Sequence, residues 1–330
     1  MPENTQPATA IRSEYPRPIL KRPLWLNLNG EWDFVSDPDN LGLRDGWQHR
    51  TALPEKIQVP FSVEATASGI GESPAAPIVW YHRSFECPEN WKSARLLLHV
   101  GAADYATRVF INGAEVGQNQ GGYAPFSFDI AHLITKGANQ ITIRCEDGLS
   151  WSQPRGKQEG TTRWPIDYDG VTGIWQTVWL EPLGETSILD VSSSFALQNK
   201  TFRFVASLNV LFSGSLDLEL SHNSETIAQH SVSVSQRSEI KALIDLADSP
   251  AATAARLPLW SPESPNLCHL TLTLRDSSGE IIDQAESYVG LREIGVVDGQ
   301  LQLNGKPLYL RGVLDQGYFT QGWYTAVTDD

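Results

Sequence analysis

Three observations predict an all-β chain built from two sandwiches. Short runs of β-branched and aromatic residues alternate with a period of two. Gly, Asn, Asp and Pro punctuate them at close intervals, and no stretch carries a helical period. At 330 residues there is room for two or three domains with substantial cores.

Residues 1–20 read as a flexible lead-in, because Pro2, Pro7, Pro16 and Pro18 break any regular element. Order is expected from Trp25 onward, where Asn29-Gly30 is a turn signal and Glu31-Trp-Asp-Phe-Val35 alternates as a strand. After Ile57–Glu64 comes a Gly/Ser/Pro-rich loop, then strands at Val79–Phe85 and Arg95–Val100. Thr107–Val116 is a hairpin about Asn112-Gly113. Gly121-Gly122 is a turn leading to the Phe126–Asp129 strand, and Gln140–Cys145 is a further strand. Frequent short strands of this kind make a jelly roll the natural architecture for residues 21–184.

The stretch Tyr168–Glu181 closes that domain. From Ile174 to Leu180 its residues alternate, so a continuous strand is expected, with Asp167 and Asp169 in the loop at its mouth. Pro182-Leu-Gly184 then punctuates the chain. Residues 185–290 hold alternating runs at Phe202–Leu208, Leu216–Leu220 and His269–Leu274, with a turn at Ser277–Glu280. About a hundred such residues fit a seven-stranded immunoglobulin-like sandwich, without the Cys…Trp…Cys frame of antibody domains. In residues 291–330, Leu301–Val313 reads as a hairpin feeding a strand.

Composition excludes several function classes. A net charge of -14 with no basic run repels phosphate backbones and anionic lipid, so neither nucleic acid nor membrane is an expected partner. The N-terminus lacks a basic segment followed by an apolar one, and no apolar run approaches bilayer length. Cys87, Cys145 and Cys268 are sparse and odd in number, which suits reduced buried thiols in the cytoplasm. The scattered histidines form no metal motif, and no nucleotide-binding glycine pattern occurs, so no cofactor is expected.

Several phrases in the right order resemble the N-terminal region of family-two glycoside hydrolases, the superfamily of β-galactosidases, β-glucuronidases and β-mannosidases. They are L-N-G-E-W-D-F, V-W-Y-H-R-S-F, V-F-I-N-G-A-E-V-G, G-G-Y-A-P-F-S-F-D, P-R-G-K-Q, G-I-W-Q-T-V-W-L-E-P and L-W-S-P-E-S-P-N-L. The resemblance implies a sugar-binding jelly roll, an immunoglobulin-like domain, and then the first strand of a truncated (β/α)₈ barrel. It also implies a carbohydrate substrate, and that the glutamates of the retaining reaction lie on late barrel strands. No residue here matches them, so no catalytic residue is assigned.

The resemblance makes Asp167, six residues before Gly173, the loop acid that reaches substrate, with Asp169 as the neighbouring alternative. A carboxylate suits sugar hydroxyls, which donate directed hydrogen bonds. The competing reading is a turn whose Asp caps local amides. Arg155 and Lys157 are candidate cations for a substrate acid or for the barrel, and equally ordinary surface charges. Among the 11 tryptophans, Trp151 and Trp164 sit in loops and could stack on a pyranose face, whereas Trp32, Trp80, Trp175 and Trp179 sit in strands and suit the core. The leading function is therefore the non-catalytic portion of a glycosidase that needs a catalytic barrel in cis or in trans, with homo-oligomers open. A stand-alone carbohydrate-binding module and a structural sandwich are the alternatives.

Overall fold

The computed structural model describes residues 11–88, 91, 95–159, 167–247 and 257–329. The chain divides into two compact units.

The first unit comprises residues 11–16, 24–182 and 315–329. Its strands are β1 (Leu26–Asn27), β2 (Gly30–Ser36), β3 (Glu55–Val59), β4 (Ile78–Glu86), β5 (Arg95–Val100) and β6 (Ala103–Asp104). They continue with β7 (Ala106–Ile111), β8 (Ala114–Gln120), β9 (Phe126–Asp129), β10 (Ala138–Glu146), β11 (Gly173–Ile174) and β12 (Val178–Leu183). A six-stranded antiparallel sheet runs β3-β2-β4-β10-β7-β8, and a four-stranded one runs β1-β12-β5-β9. Their inner faces share one core, in which Trp32, Phe34 and Tyr81 meet Leu98, Val178 and Leu180. Alternation explains the pairing, since one face of each strand is apolar and buries only against the other sheet.

The β7–β8 hairpin turns at Asn112 and Gly113, with φ of 52° and 83°. Those positive values are what a two-residue turn matching the sheet twist requires. The expected Ile174–Leu180 strand is interrupted. Trp175 and Gln176 both donate their main-chain N–H to the Ala102 carbonyl, and Gly101 donates to Thr177. This kink separates β11, which pairs with β6, from β12, which pairs with β1. Trp179 is buried as expected, while Trp175 is half-buried and donates its indole N–H to the Gly122 carbonyl at 2.7 Å.

The lead-in is packed where it is described. Tyr15 donates its hydroxyl to Glu181 and meets Trp25 edge-on at 5.2 Å.

The second unit comprises Arg17–Pro23 and Leu183–Leu314. It begins with Pro18–Leu20 as a 3₁₀ turn that sinks Leu20 into the core. Its main strands are β13 (Ile188–Ala196), β14 (Thr201–His222), β15 (Glu225–Asp245), the short pair β16 (Trp260–Ser261) and β17 (Ser264–Pro265), β18 (Cys268–Arg275) and β19 (Ile281–Val289). The two runs expected at Phe202–Leu208 and Leu216–Leu220 are halves of the long β14. Register slips between Ser207 and Gly214 bend the β14–β15 hairpin back across one core. One layer then holds β13 with one half of the hairpin, the other holds the second half with β18 and β19. That arrangement is the immunoglobulin-like sandwich the alternation predicts.

A three-stranded meander of β20 (Ile294–Val297), β21 (Gln300–Leu303) and β22 (Lys306–Pro307) follows. The strand expected after this hairpin does not form among the described residues. Tyr309, Leu310, Val313 and Leu314 are each at least two-thirds exposed. A strand there would need a neighbour to take its backbone hydrogen bonds, and the meander ends at β22. No helix among the described residues is long and apolar enough to cross a membrane.

Candidate functional site

The loops at one end of the first unit gather the chemistry. The β6–β11 bridge pairs Asp104 with Gly173, which sets Asp104 beneath the loop that precedes β11. That loop is held by a second strap. Gln158 forms a parallel bridge with Tyr168: Tyr168 donates its N–H to the Lys157 carbonyl and Glu159 donates to the Tyr168 carbonyl, both at 3.0 Å.

Three acids are buried behind this loop. Glu64 accepts the Thr172 N–H through both carboxylate oxygens, at 3.1 and 2.9 Å. Burial pushes its carboxyl up to about 8; the Thr172 bonds pull it down and the Asp147 charge adds to the rise. Asp147 accepts from the Leu149 N–H (2.9 Å), the Gln153 amide (2.6 Å) and the Thr172 hydroxyl (3.3 Å). Asp104 is raised to about 7, first by burial and then by Asp147, against a donor bond from Gln158. A raised carboxyl beside a second acid is the pattern expected of an acid/base pair. Here the Glu64 and Asp147 oxygens are occupied by main-chain and side-chain donors that lock loops, so the pair is structural. A cleft of about 250 Å³ opens beside it, lined by Pro74, Ala75, Leu149 and Glu159 among others.

Aromatic rings cover the loop. Tyr318 stacks on Tyr168 at 4.6 Å and on Trp323 at 5.0 Å, and Tyr324 meets Trp175 edge-on at 5.4 Å. The Tyr324 hydroxyl is pushed up by burial and by its bond with Tyr123. Thr325 also donates to the Trp175 carbonyl. The segment after residue 315 therefore belongs to this site by packing.

The residues singled out from sequence fall as follows. Asp167 and Asp169 are both half-buried, and Asp169 accepts a hydrogen bond from Ser73 at 3.3 Å. Arg155 is turned inward: it pairs with Glu159 at 3.2 Å and its guanidinium lies 3.6 Å from the Trp151 ring centroid. Trp151 is thus 85% exposed, but one face is already covered by a cation. Lys157 is exposed, with its ammonium 5.9 Å from the Tyr168 ring. Trp164 lies outside the described residues. Sequence reasoning passed over Glu64, Asp104, Asp147 and Gln158. It also read Gly121-Gly122 as only a turn, whereas a Cβ on Gly122 would sit 2.3 Å from the Asp104 carboxyl carbon.

The sequence profile of the glycosyl hydrolases family 2 sugar binding domain matches residues 26–182, and that of glycosyl hydrolases family 2 matches residues 190–292. The chain belongs to glycosyl hydrolases family 2. The first profile falls within the first unit and the second within the second unit. A β-glucuronidase of Paenibacillus borealis is 26% identical over 326 residues, covering 90% of this chain and 50% of that protein. A β-galactosidase of Thermoanaerobacter pseudethanolicus is 28% identical over 302 residues, covering 87% of this chain and 38% of that protein. The chain thus spans half or less of the length of these relatives. A solved β-glucuronidase of Ruminococcus gnavus, in complex with D-glucuronic acid, shares the fold. It has a TM-score of 0.73 at 20% identity, over 92% of this chain and 51% of that one.

Proposed function

We propose that this chain is the non-catalytic N-terminal portion of a retaining β-glycosidase, which supports and partly lines the sugar site. The observation that carries the reading is the ordered match of both family-2 domains, together with relatives named as β-glucuronidases and β-galactosidases. Bond cleavage then belongs to two carboxyls on a (β/α)₈ barrel supplied in cis or in trans. Asp167 reaches the sugar hydroxyls, with Asp169 beside it. Lys157 faces solvent next to them and suits a substrate carboxylate, while Arg155 supports the loop through Glu159. Trp164 remains a stacking candidate. The cysteines are unpaired and two are buried, which suits the reducing cytoplasm.

Purified chain is expected to leave chromogenic β-glucuronides and β-galactosides intact. Joined to a barrel, it is expected to turn one of them over. There Asp167→Ala should raise KM about tenfold or more, the loss of a charge-assisted hydrogen bond to substrate. Turnover by the chain alone, abolished by changing a Glu within it, would overturn the reading.

A further inference from the structure

Gln158 is 1% exposed, and its amide is fully used. Its Oε1 accepts the Val171 N–H at 2.7 Å. Its Nε2 donates to Asp104 Oδ2 and to the Tyr123 hydroxyl, each at 3.0 Å. Its chain neighbours Lys157 and Glu159 bond Tyr168 on the two sides of the bridge. The 157–159 strap therefore pins the chain at Tyr168, and the Gln158 side chain pins it again at Val171. Asp169 lies between those two points and Asp167 directly before the first.

The far end of the strap is equally specific. Asp104 packs flat against Gly122, where any side chain would collide with its carboxylate. Its Oδ1 has no hydrogen-bond partner among the described residues, so Oδ2 and its bond to Gln158 are what the buried side chain offers. Asp104 also sits on β6, which pairs with β11 at the other end of the loop. The groups about this carboxylate include Gln158, whose amide also donates to Tyr123, Gly122 from the turn, the charge of Asp147, and Tyr324 and Cys145, both of which its charge reaches.

We propose that Gln158 is the positioning residue of the sugar-contacting loop: its amide couples Asp104 to Val171 and so sets where Asp167 and Asp169 stand. The inference rests on the reading of Asp167 as the acid that meets substrate. An amide is demanded because the site needs donors towards Asp104 and Tyr123 together with an acceptor towards Val171. A glutamate would set two carboxylates against each other. A leucine would leave the buried Val171 N–H unsatisfied.

Polarity reversal supplies the test. In the full chain Gln158→Glu keeps an acceptor for Val171 but removes the donors to Asp104 and Tyr123, so amide hydrogen exchange of Val171 and its neighbours is expected to speed about tenfold, the worth of the lost bond to Asp104. Exchange in β4 and β10 should be unchanged. The double variant Asp104→Asn with Gln158→Glu exchanges donor for acceptor across the same contact and should restore protection. In the barrel-bearing polypeptide, KM for a chromogenic β-glucuronide or β-galactoside should rise in the single variant and recover in the double, with kcat moving less. Uniform loosening of the first unit, or failure of the double variant to restore protection, overturns the proposal whatever KM does. If protection follows the expected pattern while Asp167→Ala leaves KM unchanged, the strap stands and the reading of Asp167 falls.

Discussion

Replacing Gly173 with Ala is expected to destabilise the first unit by about 2 to 5 kcal/mol. Gly173 has φ of +82°, a region that costs an L side chain about 1 to 2 kcal/mol. Its Cβ would also lie 2.0 Å from the Tyr81 hydroxyl and 2.9 Å from the adjoining ring carbon. Tyr81 cannot give way, because it is fully buried and meets Phe34 edge-on at 5.4 Å. Overpacking of that kind adds about 1 to 3 kcal/mol, a large share of a domain's usual 5–15 kcal/mol. Gly137→Ala separates the two costs, since Gly137 has φ of +82° and nothing within 4 Å of its Cβ. It should lose only the conformational part. Urea unfolding of both variants measures the difference, and equal midpoints would refute the steric argument.

The Gly173 result shows what kind of information the sequence exposes. The Asn112-Gly113 hairpin, the alternation of Glu31–Val35 within β2 and the turn at Ser277–Glu280 are local, and local chemistry makes them readable. The bend in β14 was not readable, because Phe202–Leu208 and Leu216–Leu220 alternate separately, and only pairing with β15 joins them. The kink at Trp175–Thr177 is likewise hidden, since both faces of that stretch carry apolar side chains and the Ala102 carbonyl that breaks it is remote in sequence.

The site divides the same way. Asp167 and Asp169 stand in the loop at the mouth of an apolar run, and the resemblance to family-two glycoside hydrolases is what singles them out as expected substrate contacts. Glu64 and Asp104 look like surface acids, since their partners lie far along the chain: Glu64 meets Thr172 108 residues away and Asp104 meets Gln158 54 residues away. Gln158 did have a local signal, as the last residue of the P-R-G-K-Q phrase, but charge drew attention to its neighbours. Arg155 is the opposite case. Its charge suggested an outward cation, and the structure spends it on Glu159 and Trp151.

Burying those acids has a consequence for stability against pH. In Glu64 and Asp104 the carboxyl is raised, from 4.5 to about 8 and from 3.8 to about 7. Between the ordinary and raised values the unfolded chain is ionised while the folded chain still holds its protons. The folded state then binds more protons than the unfolded one, so stability falls as pH rises. The contribution is fully present below about pH 4, declines through the interval, and is gone above about pH 8. A tenfold change in a carboxyl's proton affinity on folding is about 1.4 kcal/mol, so the combined loss is on the order of several kcal/mol. Glu64→Gln and Asp104→Asn mimic the protonated shapes without the charge. The double variant should match the parent below about pH 4, give or take about 1 kcal/mol for altered hydrogen bonds, and exceed it by several kcal/mol near pH 9. Thr172 can still donate to the one oxygen of Gln at 64, and Gln158 to the one oxygen of Asn at 104, so both loops keep an anchor. Urea titrations at acidic, neutral and alkaline pH read this directly: curves that run parallel for parent and variant would mean that both carboxyls are already ionised in the fold, and that their burial is relieved by solvent the packing does not admit.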